Sequence, residues 1–235
     1  MYLANLEEVR RFEELSRQYH KVKGGMNFSW VSLTSAYETL QQYDNGGRVF
    51  AALLDLRFNI DALLSELGQM AMIRNNYRQA RESIQGSLLE NPDFFFERLD
   101  LLRVNTSYIL RYRAVLDKVM GLLVMLAAPE KYNSFAEARS RRKKFVQIAE
   151  QAPILPAKLV SHLAQTIDAF NRYRTAEAHG TGSARTWTFL DDDDIDSPQS
   201  DMFWSWNSLH PVLTLVGKLF PGRKADNEAE DESYT

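Results

Sequence analysis

Two arginines, a glutamate and a histidine fall within eight residues in the segment NRYRTAEAHGTGSAR, residues 171–185: Arg172, Arg174, Glu177 and His179. A guanidinium grips phosphate through parallel N–H···O bonds, and an imidazole exchanges a proton near neutral pH. Those two groups are the minimum needed to bind or cut a phosphodiester. Gly180 and Gly182 follow at once, so these side chains stand where a helix is expected to stop.

The residues before the segment define that helix. Val160, Leu163, Ile167 and Phe170 recur at three- and four-residue spacing after Pro156, which predicts an amphipathic helix over 156–180. At about 100° per residue, Arg172 and His179 fall within roughly 20° of each other, with Asp168 and Thr175 nearby. Arg174 falls instead on the apolar stripe, about 140° from His179. A cation on a buried stripe is costly unless it is paired or at an interface. Glu177, three residues on, is one natural partner. The plain structural reading is an Arg174–Glu177 ion pair, with His179 satisfying the helix dipole before a glycine stop.

The string RTAEAHG also resembles the signature of the HEPN superfamily, helical bundles that carry an Arg-x4–6-His motif near the end of a late helix. Arg174 matches the arginine and His179 the histidine, while Ala178 and Gly180 match the small residues flanking it. Arg172 satisfies the looser six-residue spacing, and Thr175 stands where the family often has asparagine. The resemblance implies a metal-independent endoribonuclease that works as a homodimer, with the motifs of two subunits facing one cleft. The histidine would deprotonate a ribose 2′-hydroxyl and the arginine would hold the non-bridging oxygens. A toxin or defence role with an antitoxin partner belongs to the same expectation. The alternative is a non-catalytic helical module that binds RNA, a nucleotide or a protein.

Composition narrows the chemistry. The chain has 235 residues and no cysteine, which excludes disulfides, thiolate nucleophiles and cysteine-based zinc sites. No phosphate-loop, dinucleotide-fold, nucleophile-elbow or zinc-protease motif is present, so neither cofactor nor metal is expected. The run Asp191–Asp194 with Asp196 reads as a solvated linker. Net charge is −3, which argues against indiscriminate nucleic-acid binding, yet Arg139, Arg141, Arg142, Lys143 and Lys144 form a dense basic cluster. With Arg185, these are the candidate RNA-contacting residues. The start of that basic stretch, near Arg139, is expected to be the part of it closest to the His179 end of the motif helix. MYLANLEEVRR is not a secretory leader, and the longest apolar run, Val119 to Ala128, is about half a bilayer span. A cytoplasmic protein without membrane association is expected.

The positioning elements read as helices throughout. They are expected at 2–23, 28–43, 48–73 or beyond, 92–127, 134–151, 156–180 and 202–220. Leu53, Leu56, Ile60, Leu63, Leu67 and Met70 mark one bundle seam. Ile109, Tyr112, Leu116, Val119 and Leu123, with Leu99, Leu102 and Leu126, mark the other. Leu3, Leu6, Val9, Leu15, Tyr19 and Val22 are the candidate buried side of the first helix. Only Thr186–Leu190 alternates like a strand. The fold class is all-α, an antiparallel bundle forming one domain over 1–221 with a disordered acidic tail at 222–235.

Overall fold

The computed structural model describes residues 5–23, 30–82, 92–152, 154–178 and 201–220. Every regular element among them is helical: α1 (Leu6–Lys23), α2 (Leu33–Leu40), α3 (Gly46–Glu82), α4 (Pro92–Ala127), α5 (Tyr132–Ala136), α6 (Arg141–Gln151), α7 (Ala157–Ala178) and α8 (Asp201–Gly217). A 3-10 turn at Pro129–Lys131 joins α4 to α5. The expected strand at Thr186–Leu190 and the tail at 222–235 lie outside the described residues.

The long pair α3–α4 is the frame. All six α3 seam residues are buried, and Ile109, Tyr112, Leu116, Val119 and Leu123 meet them from α4. Each such side chain contributes about 1.5–3 kcal/mol on burial. Three polar ties fix the register along the seam. Asn45 Nδ2 donates to the Met125 carbonyl at 3.3 Å, Lys118 pairs with Asp55, and Glu66 accepts from Ser107 at 2.6 Å and Arg111 at 2.8 Å. The α3 partner rises from 45 to 66 as the α4 partner falls from 125 to 107, so these helices run antiparallel. Leu99 was expected in the seam but is exposed, as is Met72 on the facing helix.

The first helix docks the other way. Phe12 stacks on Phe58, Ser16 meets Asp61 and Tyr19 meets Ser65. Both numbers increase together, so α1 runs parallel to α3. The antiparallel expectation therefore holds for α3–α4 and not for α1–α3, because α2 carries the chain back between them. Its N-cap is Ser32, which accepts from the Ser35 amide at 3.3 Å. Glu13 of α1 adds a second cap, accepting from the Leu33 amide at 2.7 Å and the Thr34 hydroxyl at 2.8 Å. A carboxylate at the positive end of α2 is favourable.

The buried face of α1 is not the one its apolar residues suggest. Val9 and Ser16 are buried, whereas Leu15 and Tyr19 are exposed and Val22 is 80% exposed. The reason lies across the interface, where Arg57 is 3% and Asp61 8% exposed. Arg57 Nε donates to Asp61 Oδ1 at 3.0 Å, and Ser16 Oγ donates to Asp61 Oδ2 at 2.6 Å. A buried ion pair must have its remaining lone pairs satisfied, and that requirement sets the rotation of α1.

Close backbone approach fixes two glycine positions. A Cβ at Gly46 would lie 1.7 Å from the Leu40 carbonyl oxygen, and one at Gly217 would lie 1.9 Å from that of Trp30. No other residue fits either position without backbone movement.

Two outcomes test this packing. Asp61→Ala leaves the Arg57 charge buried and unpaired, and should lower stability in urea denaturation by about 3–5 kcal/mol. A loss under about 1 kcal/mol would show the pair to be dispensable. Tyr112 is fully buried beside Tyr108, and burial, then that neighbour, pushes its hydroxyl well above the usual tyrosine range. The native state therefore keeps a proton that the unfolded chain releases near pH 10. Its stabilising contribution is complete below that pH and falls as pH rises above it. Tyr112→Phe should flatten the alkaline limb of the stability–pH curve above about pH 10, read by chemical denaturation.

Candidate functional site

The helix that carries the arginine–histidine segment is seated on the frame through its apolar row. The Pro156 carbonyl accepts from the amides of Leu159 at 2.9 Å and Val160 at 3.2 Å, which starts α7. Leu159, Leu163, Ile167 and Phe170 are fully buried. Phe170 lies 4.1 Å, centroid to centroid, from Tyr112 of α4, and the Thr166 hydroxyl donates to the Ser208 carbonyl of α8 at 3.4 Å. The motif helix is thus held between α4 and α8.

Arg172, Arg174 and Glu177 belong to the last two turns of α7, which ends at Ala178. Their side chains, together with His179, Gly180 and Arg185, lie outside the described residues, as does the acidic run 191–196.

The basic cluster is described, and it does not form the single helix expected over 134–151. The stretch is broken: α5 ends at Ala136 and α6 begins at Arg141, leaving Arg139 in the connection. At about 100° per residue Phe135 and Ile148 would face roughly 140° apart on one continuous helix. Both are buried, and the turn at 137–140 allows it.

The five cations divide into two sets. Arg142 pairs with Asp168 of α7, the guanidinium side chain being 32% and the carboxylate 54% exposed. Arg141 reaches Asp117 of α4 at 3.8 Å and donates to the Ala136 carbonyl at 3.3 Å. Arg139 and Lys143 are exposed, and Lys144 donates to Gln147 at 3.4 Å within its own helix. Of the six proposed RNA contacts, Arg141 and Arg142 therefore also tie α6 to its neighbours.

The cluster meets the motif helix through the start of α6. Arg142 meets α7 at Asp168, ten residues before Ala178. That is about 15 Å along the helix axis. No local sequence signal announces the partners Asp117 and Asp168, since each is more than twenty positions from its arginine.

No family model, curated protein or solved structure matches this chain. Among the described residues no three histidine or acidic side chains converge as a metal-binding set, and no helix is long and apolar enough to cross a membrane.

The division of the cations has a measurable consequence. Partly exposed ion pairs contribute at most about 1 kcal/mol each. Arg141→Ala with Arg142→Ala should lower stability by about 1 kcal/mol in urea denaturation. Lys143→Ala with Lys144→Ala should stay within about 0.5 kcal/mol of the parent. Equal losses from the two pairs would overturn the division.

Proposed function

We propose that the protein is a HEPN-type, metal-independent endoribonuclease. The observation that carries this reading is the Arg-x4-His spacing of Arg174 and His179 at the end of α7, which closes at Ala178. An all-helical frame that clamps α7 on two sides is the context such a motif needs. The exposed cations Arg139 and Lys143, with Lys144, supply positive surface in a chain of net charge −3.

In the proposed reaction His179 takes the proton of a ribose 2′-hydroxyl. The 2′-oxygen attacks the adjacent phosphorus, the bond to the 5′-oxygen breaks, and that oxygen leaves with a proton. The products are a 2′,3′-cyclic phosphate and a 5′-hydroxyl. Arg174, with Arg172 as the second candidate, holds the non-bridging oxygens as charge builds on them. Glu177 orients the guanidinium. A homodimer gives the position of Arg174 its rationale, because a cation on an inward-facing row is tolerable at the edge of a polar cleft between subunits. A cytoplasmic toxin or defence component held in check by an antitoxin protein is the biological form of this reading.

Incubation of the purified chain with mixed RNAs in EDTA tests it. Cleavage with cyclic-phosphate ends is expected, with a loss of about 10²-fold or more in His179→Ala. Cleavage that survives this substitution, or no cleavage at all, would sink the catalytic reading. RNA affinity that falls with salt but brings no turnover would favour the helical RNA-binding module instead.

A further inference from the structure

Helix α1 turns a polar side chain inward and its large apolar ones outward. Ser16 meets the buried Arg57–Asp61 pair, while Leu15, Tyr19 and Val22 are exposed. At about 100° per residue Phe12, Leu15, Tyr19 and Val22 fall within roughly 80° of one another, a quarter turn from buried Val9 and Ser16. The adjoining side of α3 completes the surface. Phe58, half exposed, stacks on Phe12 with ring centroids 5.8 Å apart, and the Tyr19 and Ser65 hydroxyls lie 3.2 Å apart. Met72, also exposed and about two turns beyond Ser65, continues the line on α3. The furrow between two parallel helices is thus lined with apolar side chains. It lies apart from the motif helix, since α1 packs on α2 and α3 whereas α7 packs on α4, α6 and α8.

The extent of this surface matches one side of a dimer. At about 200 Å² for a large side chain, the exposed fractions of Leu15, Tyr19, Val22, Phe58 and Met72 come to on the order of 500 Å². The largest apolar patch on a typical monomer is about 300–600 Å², and such a patch is often functional. A standard interface buries about 800 Å² per partner, of which a little over half is apolar. The furrow with its polar rim supplies that area.

The spacing along α1 indicates what covers it. A twofold interface must be complementary to itself. Positions 12, 15, 19 and 22 are symmetric about residue 17, so an antiparallel helix of the same sequence sets Phe12 against Val22 and Leu15 against Tyr19. Each ring then meets a smaller aliphatic side chain. A twofold also sets the residue nearest its axis against its own copy, where a charge would be repelled. Gln18 stands there, at the edge of the stripe. One of its N–H groups reaches Glu14 at 3.2 Å, which leaves a donor and a carbonyl that match those of a second Gln18. Arg17, at the same level, points about 180° from the stripe. We infer that the α1–α3 furrow is an interface with a second copy of this chain, formed by two antiparallel α1 helices about a twofold axis at residue 17. The inference goes beyond the ribonucleolytic reading and does not rest on it.

Sedimentation velocity of the full chain at micromolar concentration tests this. An associated particle is expected. Leu15→Asp with Val22→Asp should halve its mass and leave the circular dichroism unchanged, because both side chains face solvent in the single chain. Leu110→Asp, at an exposed apolar position of α4, should leave the mass as it is. The chain has no cysteine, so one introduced thiol reads the geometry. About an axis at residue 17, two copies of position 18 are offset by about 3 Å along the helices and two copies of position 11 by about 18 Å. A short bismaleimide should therefore join Gln18→Cys chains in pairs and leave Arg11→Cys chains single. Should the double substitution fail to fold, these two thiols decide. A monomeric parent would overturn the inference and give the furrow to a helix of another protein. A mass unchanged by the double substitution, a mass halved equally by Leu110→Asp, or equal linking of the two thiols would overturn it too. His179→Ala should associate as the parent does, so a failed cleavage assay would remove the catalytic reading and leave this interface standing.

Discussion

The antiparallel pairing of α3 with α4 is the constraint on which everything else depends. Each of these helices exceeds thirty residues, and isolated helices owe little stability to propensity alone. Their mutual burial supplies it. Once Asn45, Asp55 and Glu66 have locked the register against α4, α4 has two further faces to offer. One receives α5 and α6, and the other receives α7 through Tyr112 and Phe170. The motif helix therefore has no position of its own; it inherits one from α4.

Much of that frame could be read in the sequence. The three–four alternation from Leu53 to Met70 survives intact as buried positions, because a long seam repeats one signal often enough to dominate local exceptions. The first helix could not be read in the same way. Its apolar residues argued for Leu15 and Val22 inside, yet Ser16 is inside and they are not. An Arg57–Asp61 pair on another helix needed a hydroxyl donor, and a demand arising on one element leaves no trace in the periodicity of another. The division of 134–151 into α5 and α6 was hidden for a similar reason. Nothing local forbids a continuous helix there, but burial of both Phe135 and Ile148 does.

The candidate site divides along the same line. A short-range pattern such as RTAEAHG is visible as spacing, since its chemistry lies within two helical turns. The roles of Arg141 and Arg142 are long-range. Read as sequence they are two more charges in a basic run, while in the fold they reach Asp117 and Asp168.

Gly217 rests against the Trp30 carbonyl, so α8 closes onto a point between α1 and α2. Contacts of such long sequence separation carry the largest loop-closure cost, and each doubling of the intervening length adds about 0.6 kcal/mol. They are made after local pairings have reduced the effective loop. Until α8 arrives, Leu163 and Ile167 of α7 lack part of their cover. Emergence order then becomes a form of timing: a chain that has not yet reached α8 can assemble the α3–α4 frame but cannot finish seating the helix that bears Arg174. Seating of the motif helix is thereby tied to the arrival of α8, a delay written into topology.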